Sequence, residues 1–273
     1  MNLKNFMMPS NLPKLNFIKL GGSCITDKSR PGSFKSTVIK RIAQELAAIY
    51  KSNTNSCFIV GNGAGGFGHF LAHKSRQDDG TYVAKDMVAI QVAVRQLNAR
   101  VTEFLAREGL PILTIHPSSS GLANKTGKFM PFSLIPFADA LKSGVLVSVY
   151  GDILLSDNGR YRICSTEQIF IDLAVGLKSK FQIGRVILLS DVDGVYDKNK
   201  RIIKTIASEP SSVEHVTHNQ KQTYDVTGGM QQKIKSAQMM AKIAEQVWIA
   251  DGRKKGTLAG LFESKHEGTL VKP

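Results

Sequence analysis

Short apolar runs that end abruptly in glycine recur along this chain, and most are followed by a stretch with helical spacing. Residues 15–20 run into Gly21-Gly22-Ser23, and residues 57–60 run into a glycine-rich loop spanning 61–68. Residues 145–150 lead to Gly151-Asp152, and residues 186–189 lead to Ser190-Asp191-Val192-Asp193-Gly194. An apolar run of this length without polar alternation predicts a strand buried on both faces. After the first run, Val38, Ile39, Ile42, Leu46 and Ile49 fall at helical spacing, with Lys40, Arg41 and Glu45 on the other side. Further helices are predicted over about 82–108, 132–142 and 230–245, and further strands over 112–115 and 247–250. Asp157-Asn158-Gly159 is a hairpin signal, and Ser165-Thr166-Glu167-Gln168 has the pattern of a helix capping box. Strand and helix alternate throughout, which predicts an α/β fold with a mostly parallel sheet covered on both faces.

Charge and cysteine usage narrow the partners. The chain carries 36 Lys and Arg against 22 Asp and Glu, a formal charge of +14. Such a balance attracts nucleic acid, anionic membranes or anionic small molecules. The basic residues are dispersed, as in Arg253-Lys254-Lys255 and over 198–201, whereas a nucleic-acid arm concentrates them. Anionic metabolites are therefore the expected partners, with no nucleic acid. No stretch approaches the ~20 apolar residues of a membrane span, so no membrane partner is expected. Cys24, Cys57 and Cys164 lie far apart without CxxC spacing, two of them in apolar runs, which predicts buried thiols in a reducing cytoplasm. Residues 1–14 read as a short extension. The rest, 15–273, reads as one domain of two lobes, 15–180 and 181–273, without a dividing linker.

In open α/β sheets, ligands bind beyond the carboxyl ends of the strands. Glycine there lets backbone N–H groups approach phosphate oxygens, although glycine also serves tight turns. There is no GxxxxGK[ST] sequence, and no GxGxxG followed by an acidic residue at dinucleotide-binding distance, so positive charge must come from separate lysines. Lys19 closes the first strand, Lys28 lies just beyond the first glycine turn, and Lys233 opens a helix preceded by Gly228-Gly229. Lysines converging on the outer phosphates of a nucleotide suit phosphoryl transfer. Lys19 in particular ends an apolar strand, where an unpaired charge is costly. His69 ends the second glycine-rich segment, where it serves either the fold or an oxyanion. Asp152, Asp191 and Asp193 each follow a strand and suit Mg²⁺, a lysine partner or plain turn chemistry.

Five segments occur in an order that resembles the amino acid kinase superfamily. They are Lys19-Leu20-Gly21-Gly22-Ser23, the Gly63-Ala64-Gly65-Gly66-Phe67-Gly68-His69 segment, Tyr150-Gly151-Asp152-Ile153, residues 190–196, and residues 225–233. Within that superfamily the isopentenyl phosphate kinases are the most similar. The resemblance implies an open αβα sandwich with a mostly parallel central sheet, generally assembled as a homodimer, using ATP and Mg²⁺ in isoprenoid biosynthesis of the mevalonate type. It implies that Lys19 neutralises the transferring phosphoryl group and that Lys28 assists. It implies that Gly21, Gly22, Ser23 and Gly65 contact ATP phosphates through the backbone, and that Asp191, Tyr196, Gly229 and Lys233 line the nucleotide site. Ala64, His69 and Gly151 would touch the acceptor, with His69 bonding its phosphate; the resemblance assigns no metal ligand. Kinases of other phosphates or phosphonates, such as fosfomycin, share that histidine. A non-catalytic nucleotide-binding regulator is the reading from a different class. Two departures stand out. Asn62-Gly63-Ala64-Gly65 replaces the family's His-Gly-Gly-Gly, and Ser165-Thr166-Glu167-Gln168 replaces Ser-Gly-Asp-Asp, keeping one carboxylate and losing another.

Overall fold

The apolar runs become the strands of one eight-stranded sheet. The computed structural model describes residues 12–27, 30, 32–156, 159–207, 229–263, 265 and 267–273. The strands of the sheet are β1 (Lys14–Leu20), β2 (Ser56–Asn62), β3 (Ile112–Thr114), β4 (Leu146–Tyr150), β5 (Gln182–Ser190), β6 (Thr205–Ala207), β7 (Gln246–Asp251) and β8 (Thr269–Lys272). Their order across the sheet is β6-β8-β7-β5-β1-β2-β4-β3. Every pairing is parallel except that of β7 with β8, as the unalternating apolar runs predict. The chain starts at the centre on β1, builds one side through β2 to β4, then returns to the other flank of β1 as β5. That reversal of winding around β1 opens a crevice at the carboxyl ends of the strands.

Side-chain parity divides the core into two layers. Leu15, Phe17, Ile59, Val147 and Val186 pack into one cluster with α6 (Ile135–Lys142), α7 (Thr166–Leu177) and α8 (Gly229–Ala241). Ile18, Leu20, Phe58, Val60 and Leu189 pack into the other with α1 (Gly22–Ile25), α2 (Ser36–Ser52), α4 (Ala84–Arg107) and α9 (Thr257–Phe262). Alternate residues of a strand point to opposite faces, so Lys19 shares the α7 side with Leu15 and Phe17. The remaining helices, α3 (Gly65–Ser75) and the single turn α5 (Pro117–Ser120), lie at the carboxyl edge.

Several local expectations shift. The segment 61–68 does not form one loop: β2 continues through Asn62, only Gly63 and Ala64 turn, and α3 starts at Gly65. Its glycines serve close packing. A Cβ on Gly66 would stand 2.7 Å from the Asp27 carbonyl oxygen, and one on Gly68 would stand 2.9 Å from Val94 of α4. His69 consequently lies inside a helix rather than at a loop end. The helix expected over 132–142 starts at Ile135, where Pro136 suits a first turn. The hairpin pairs Asp152–Leu155 with Tyr161–Cys164, its tip residues Asp157 and Asn158 lying outside the described residues. The capping box forms by half: Ser165 accepts from the Gln168 amide nitrogen at 3.1 Å, while the Gln168 side chain donates to Asp172 at 2.9 Å.

Candidate functional site

The three central strands end level with one another, and their turns interlock. Leu20 pairs with Asn62 on one flank and Leu189 on the other. The Gly21 amide donates to the Leu189 carbonyl at 2.9 Å, and the Gly63 amide donates to the Leu20 carbonyl at 3.0 Å. A Cβ on Gly22 would lie 2.4 Å from the Gly65 amide nitrogen, so the two glycine turns touch backbone to backbone. Gly65 has φ +51, in the region that favours glycine. It begins α3, whose N-cap residue Ala64 supplies no side-chain cap. Amide groups at such a helix start, with the helix dipole behind them, form a concave donor surface suited to an anion. Gly66 is fixed by the Thr26 hydroxyl, which accepts from its amide at 2.8 Å and donates to the Gly22 carbonyl at 2.7 Å.

Lys19 emerges beneath these turns. It pairs in register with Gly61, and a Cβ on Gly61 would collide with Thr166 and Phe170. That glycine lets the start of α7 come down onto the sheet beside Lys19. The Lys19 ammonium donates to Glu167 of α7, and the two side chains are only 10% and 12% exposed. Burial alone would raise the Glu167 carboxyl. The Lys19 charge and hydrogen bond outweigh it, with help from the Lys233 charge, and hold the carboxyl below its ordinary value. Lys233 reaches in from α8 and donates to the Ser190 hydroxyl at 2.6 Å, at the end of β5. The Ser190 hydroxyl and the Ser23 hydroxyl both donate to Asp191, at 3.3 and 2.6 Å.

On the β4 side, the Gly151 amide and the Thr166 hydroxyl both donate to the Asn62 carbonyl, at 3.2 and 2.8 Å. A Cβ at Gly151 would approach that hydroxyl to 3.2 Å. His69 is half-buried on α3, on the turn following Gly65. Ala72, three residues further along the same helix, belongs to a small apolar cluster with Tyr82, Ile90 and Ile153, against which Leu71, Met87, Tyr161 and Ile163 pack.

Thus Lys19, Gly21, Gly22, Ser23, Ala64, Gly65, Gly151, Asp191 and Lys233 gather around one crevice. Tyr196 stands further out on a two-residue strand and donates to Asp193, while Gly229 is exposed at the start of α8. Lys28 lies outside the described residues, as do Asp225 to Gly228. Asp152 is committed elsewhere: it accepts from the Ser118 and Ile153 amides, and burial raises its carboxyl. No group of three or more His, Cys, Asp or Glu side chains stands close enough to hold a metal among the described residues. None of their helices is long and apolar enough to cross a membrane.

The signature of the amino acid kinase family matches residues 14–251. The chain belongs to that family. It is 31% identical over 266 residues to an isopentenyl phosphate kinase of Methanocaldococcus jannaschii, covering 94% of this chain and 98% of the relative. It is 33% identical to an isopentenyl phosphate kinase of Arabidopsis thaliana, over 73% of this chain and 65% of the relative. Among solved structures, a product complex of the Thermoplasma acidophilum isopentenyl phosphate kinase superposes with a TM-score of 0.74 at 21% identity, covering 94% of this chain and all of that one. The family's open sheet, layered between helices, is the architecture described above.

Some members of the crevice of this amino acid kinase were not singled out from sequence. The sequence marks Glu167 only as a retained carboxylate, although a strand-terminal lysine calls for a partner. Ser190 and Asn62 stand in segments that the resemblance compares but to which it gives no role, yet their hydrogen bonds join separate elements.

Proposed function

We propose that this kinase transfers the γ-phosphoryl group of ATP to isopentenyl phosphate, giving isopentenyl diphosphate and ADP. The supporting observation is the Lys19–Glu167 pair set beneath two touching glycine turns, with the Lys233 charge acting on the same carboxylate. A cradle that a single Cβ would fill suits phosphate oxygens. Mg²⁺ bound to a nucleotide keeps several waters and needs one or two carboxylates, so Asp191, just after β5, would hold it, and the ion would supply charge neutralisation there.

In this reading an oxygen of the acceptor phosphate attacks the γ-phosphorus in line. The bond from the γ-phosphorus to the β,γ-bridging oxygen breaks, and ADP departs. No base is needed, because a phosphate monoester with a second pKa of about 6 is largely dianionic at neutral pH. Lys19 balances charge on the transferring group, Lys233 and the amides of Gly21, Gly22, Ser23 and Gly65 hold the nucleotide phosphates, and Glu167 orients Lys19. The assisting role that the resemblance gives Lys28 belongs to this reading, and Tyr196 and Gly229 border the nucleotide further out. His69 donates to the acceptor phosphate beside Ala64 and Gly151. The acceptor's apolar tail rests against half-buried Met87, which packs on the closed cluster containing Ile90; Val88, 55% exposed, points elsewhere on α4. That apolar cluster favours an isoprenoid tail over a small polar phosphonate such as fosfomycin. The same reading makes the enzyme a cytoplasmic homodimer of two-lobed protomers.

The test is ADP release with Mg²⁺-ATP and isopentenyl phosphate, run beside dimethylallyl phosphate, fosfomycin and a blank without acceptor. Turnover is expected on the isoprenoid phosphates and is abolished by Lys19→Ala with the fold intact. Turnover on fosfomycin alone would discard the isoprenoid acceptor, and a fully active Lys19→Ala protein would discard the mechanism.

A further inference from the structure

The side of the sheet facing α4 carries a polar pair that the transfer chemistry leaves unused. By strand parity, Asn62 of β2 and Ser148 of β4 point away from Lys19 and toward α4. There the side-chain amide of Asn98 donates to the Asn62 side-chain oxygen at 2.9 Å and to the Ser148 hydroxyl at 2.9 Å. The Thr114 hydroxyl donates back to the Asn98 oxygen at 3.3 Å. Asn62, Asn98 and Ser148 are each at most 2% exposed. Around them the layer is apolar, with Leu97 and Val101 of α4 and Val60 of β2. Apolar groups of the same shape would stabilise such a layer about as well, so burying this set buys specificity of position more than stability.

Its position explains what is specified. Asn62 is the last residue before the Gly63-Ala64 turn, and its carbonyl already ties that turn to Gly151 and to Thr166, the neighbour of Glu167. Its side chain adds the tie to α4. The same helix packs Val94 against Gly68 of α3 and presents Ile90 to the apolar cluster that includes Ala72 of α3. We propose that Asn98 and Asn62 form a positioning pair that locks the acceptor turn onto α4, so that the groups meeting the acceptor's phosphate and those meeting its tail move as one unit. This rests on the acceptor assignment made above. The nucleotide side, held through Gly21, Ser190 and Lys233, shares with this turn only Gly65, one of its several phosphate donors, so nucleotide affinity should change far less than acceptor affinity.

The test compares Asn98→Ala, Asn62→Ala and the double variant with the wild type. Each single variant is expected to raise the KM for isopentenyl phosphate about tenfold while the Kd for ADP by calorimetry stays within twofold. The double variant is expected to be no worse than Asn98→Ala alone, since Asn62→Ala then removes a bond already lost. A parallel loss of ADP affinity, a multiplicative double variant, or an unchanged acceptor KM would overturn the pair. Should Asn98→Ala fail to fold, Asn62→Ala, which leaves its backbone bonds in place, decides alone. If the wild type does not turn over isopentenyl phosphate, the acceptor assignment fails, and hydrogen exchange then judges the pair separately. Amides 63–66 should exchange about tenfold faster in Asn98→Ala with those of β5 unchanged; equal exchange refutes the lock.

Discussion

Replacing Glu167 by Gln keeps the shape and a hydrogen-bond acceptor beside Lys19 but removes the countercharge. Exposed ion pairs contribute about 0–1 kcal/mol, whereas removing one partner of a buried pair costs about 3–5 kcal/mol. With side chains 10% and 12% exposed, Lys19 and Glu167 lie near the buried end, and about 3 kcal/mol is a fair figure. For a protein of this size, ~1 kcal/mol lowers Tm by about 2–4 °C, so a fall of about 6–12 °C is expected by scanning calorimetry. Nucleotide phosphates restore the missing negative charge, so ADP should raise the Tm of the variant more than that of the wild type. Turnover should fall by roughly 10²-fold, the order expected when a reacting group is misplaced by about 1 Å. The double variant Lys19→Met with Glu167→Gln removes both charges from the buried site and should recover most of the lost Tm while staying inactive. A Glu167→Gln protein within about 2 °C and twofold of wild type would refute the idea that this carboxylate holds Lys19.

Three further outcomes follow from the same geometry. Gly22→Ala places a methyl 2.4 Å from the Gly65 nitrogen and 2.5 Å from its α-carbon, so the turns must part; calorimetry should show loss of measurable ADP binding, and retained affinity would mean the turns are not the cradle. His69→Ala should raise the acceptor KM about tenfold with the ATP KM unchanged, a weak-binding signature of one lost hydrogen bond to a charged group. For pH, the sign is set by Glu167: its carboxyl sits below the ordinary 4.5, so its stabilisation is complete above that pH and is lost as pH falls through the lowered folded value. The Tm gap between wild type and Glu167→Gln should therefore be flat above about pH 5 and narrow below it; a gap that widens toward acid would contradict the pairing.

The sheet was legible because a strand buried on both faces has no polar alternation to confuse with a helix, and β1, β2, β4 and β5 all read that way. The helix expected over 82–108 is found at Ala84–Arg107, since its apolar positions at 90, 94, 97, 101 and 105 set the period. The segment 61–68 reads as a loop because glycine composition signals a turn, whereas Gly66 and Gly68 are there for what would strike their Cβ atoms. Partners were the least legible. Lys19 demanded a counterion by its place at the end of an apolar strand, but Glu167 lies 148 residues away. Asn62 stands out only as a departure from the family's histidine, and Asn98, 36 residues away, carries no motif.

What turns these distant residues into a site is register. Lys19 pairs with Gly61 on one side and Leu188 on the other, and all three strands finish within a residue or two of that level. Because β1 alternates, Lys19 faces α7 and its carboxylate, while Ile18 and Leu20 face α2 and α4. A slip of β1 by one residue would turn the ammonium into that apolar layer and send Leu20 against Glu167, exchanging a paired charge for a buried unpaired one. The apolar residues at 15, 17, 18 and 20 thus do more than fill the core. By fixing which face each position takes, they decide that the one lysine of the strand interior emerges where the two glycine turns meet.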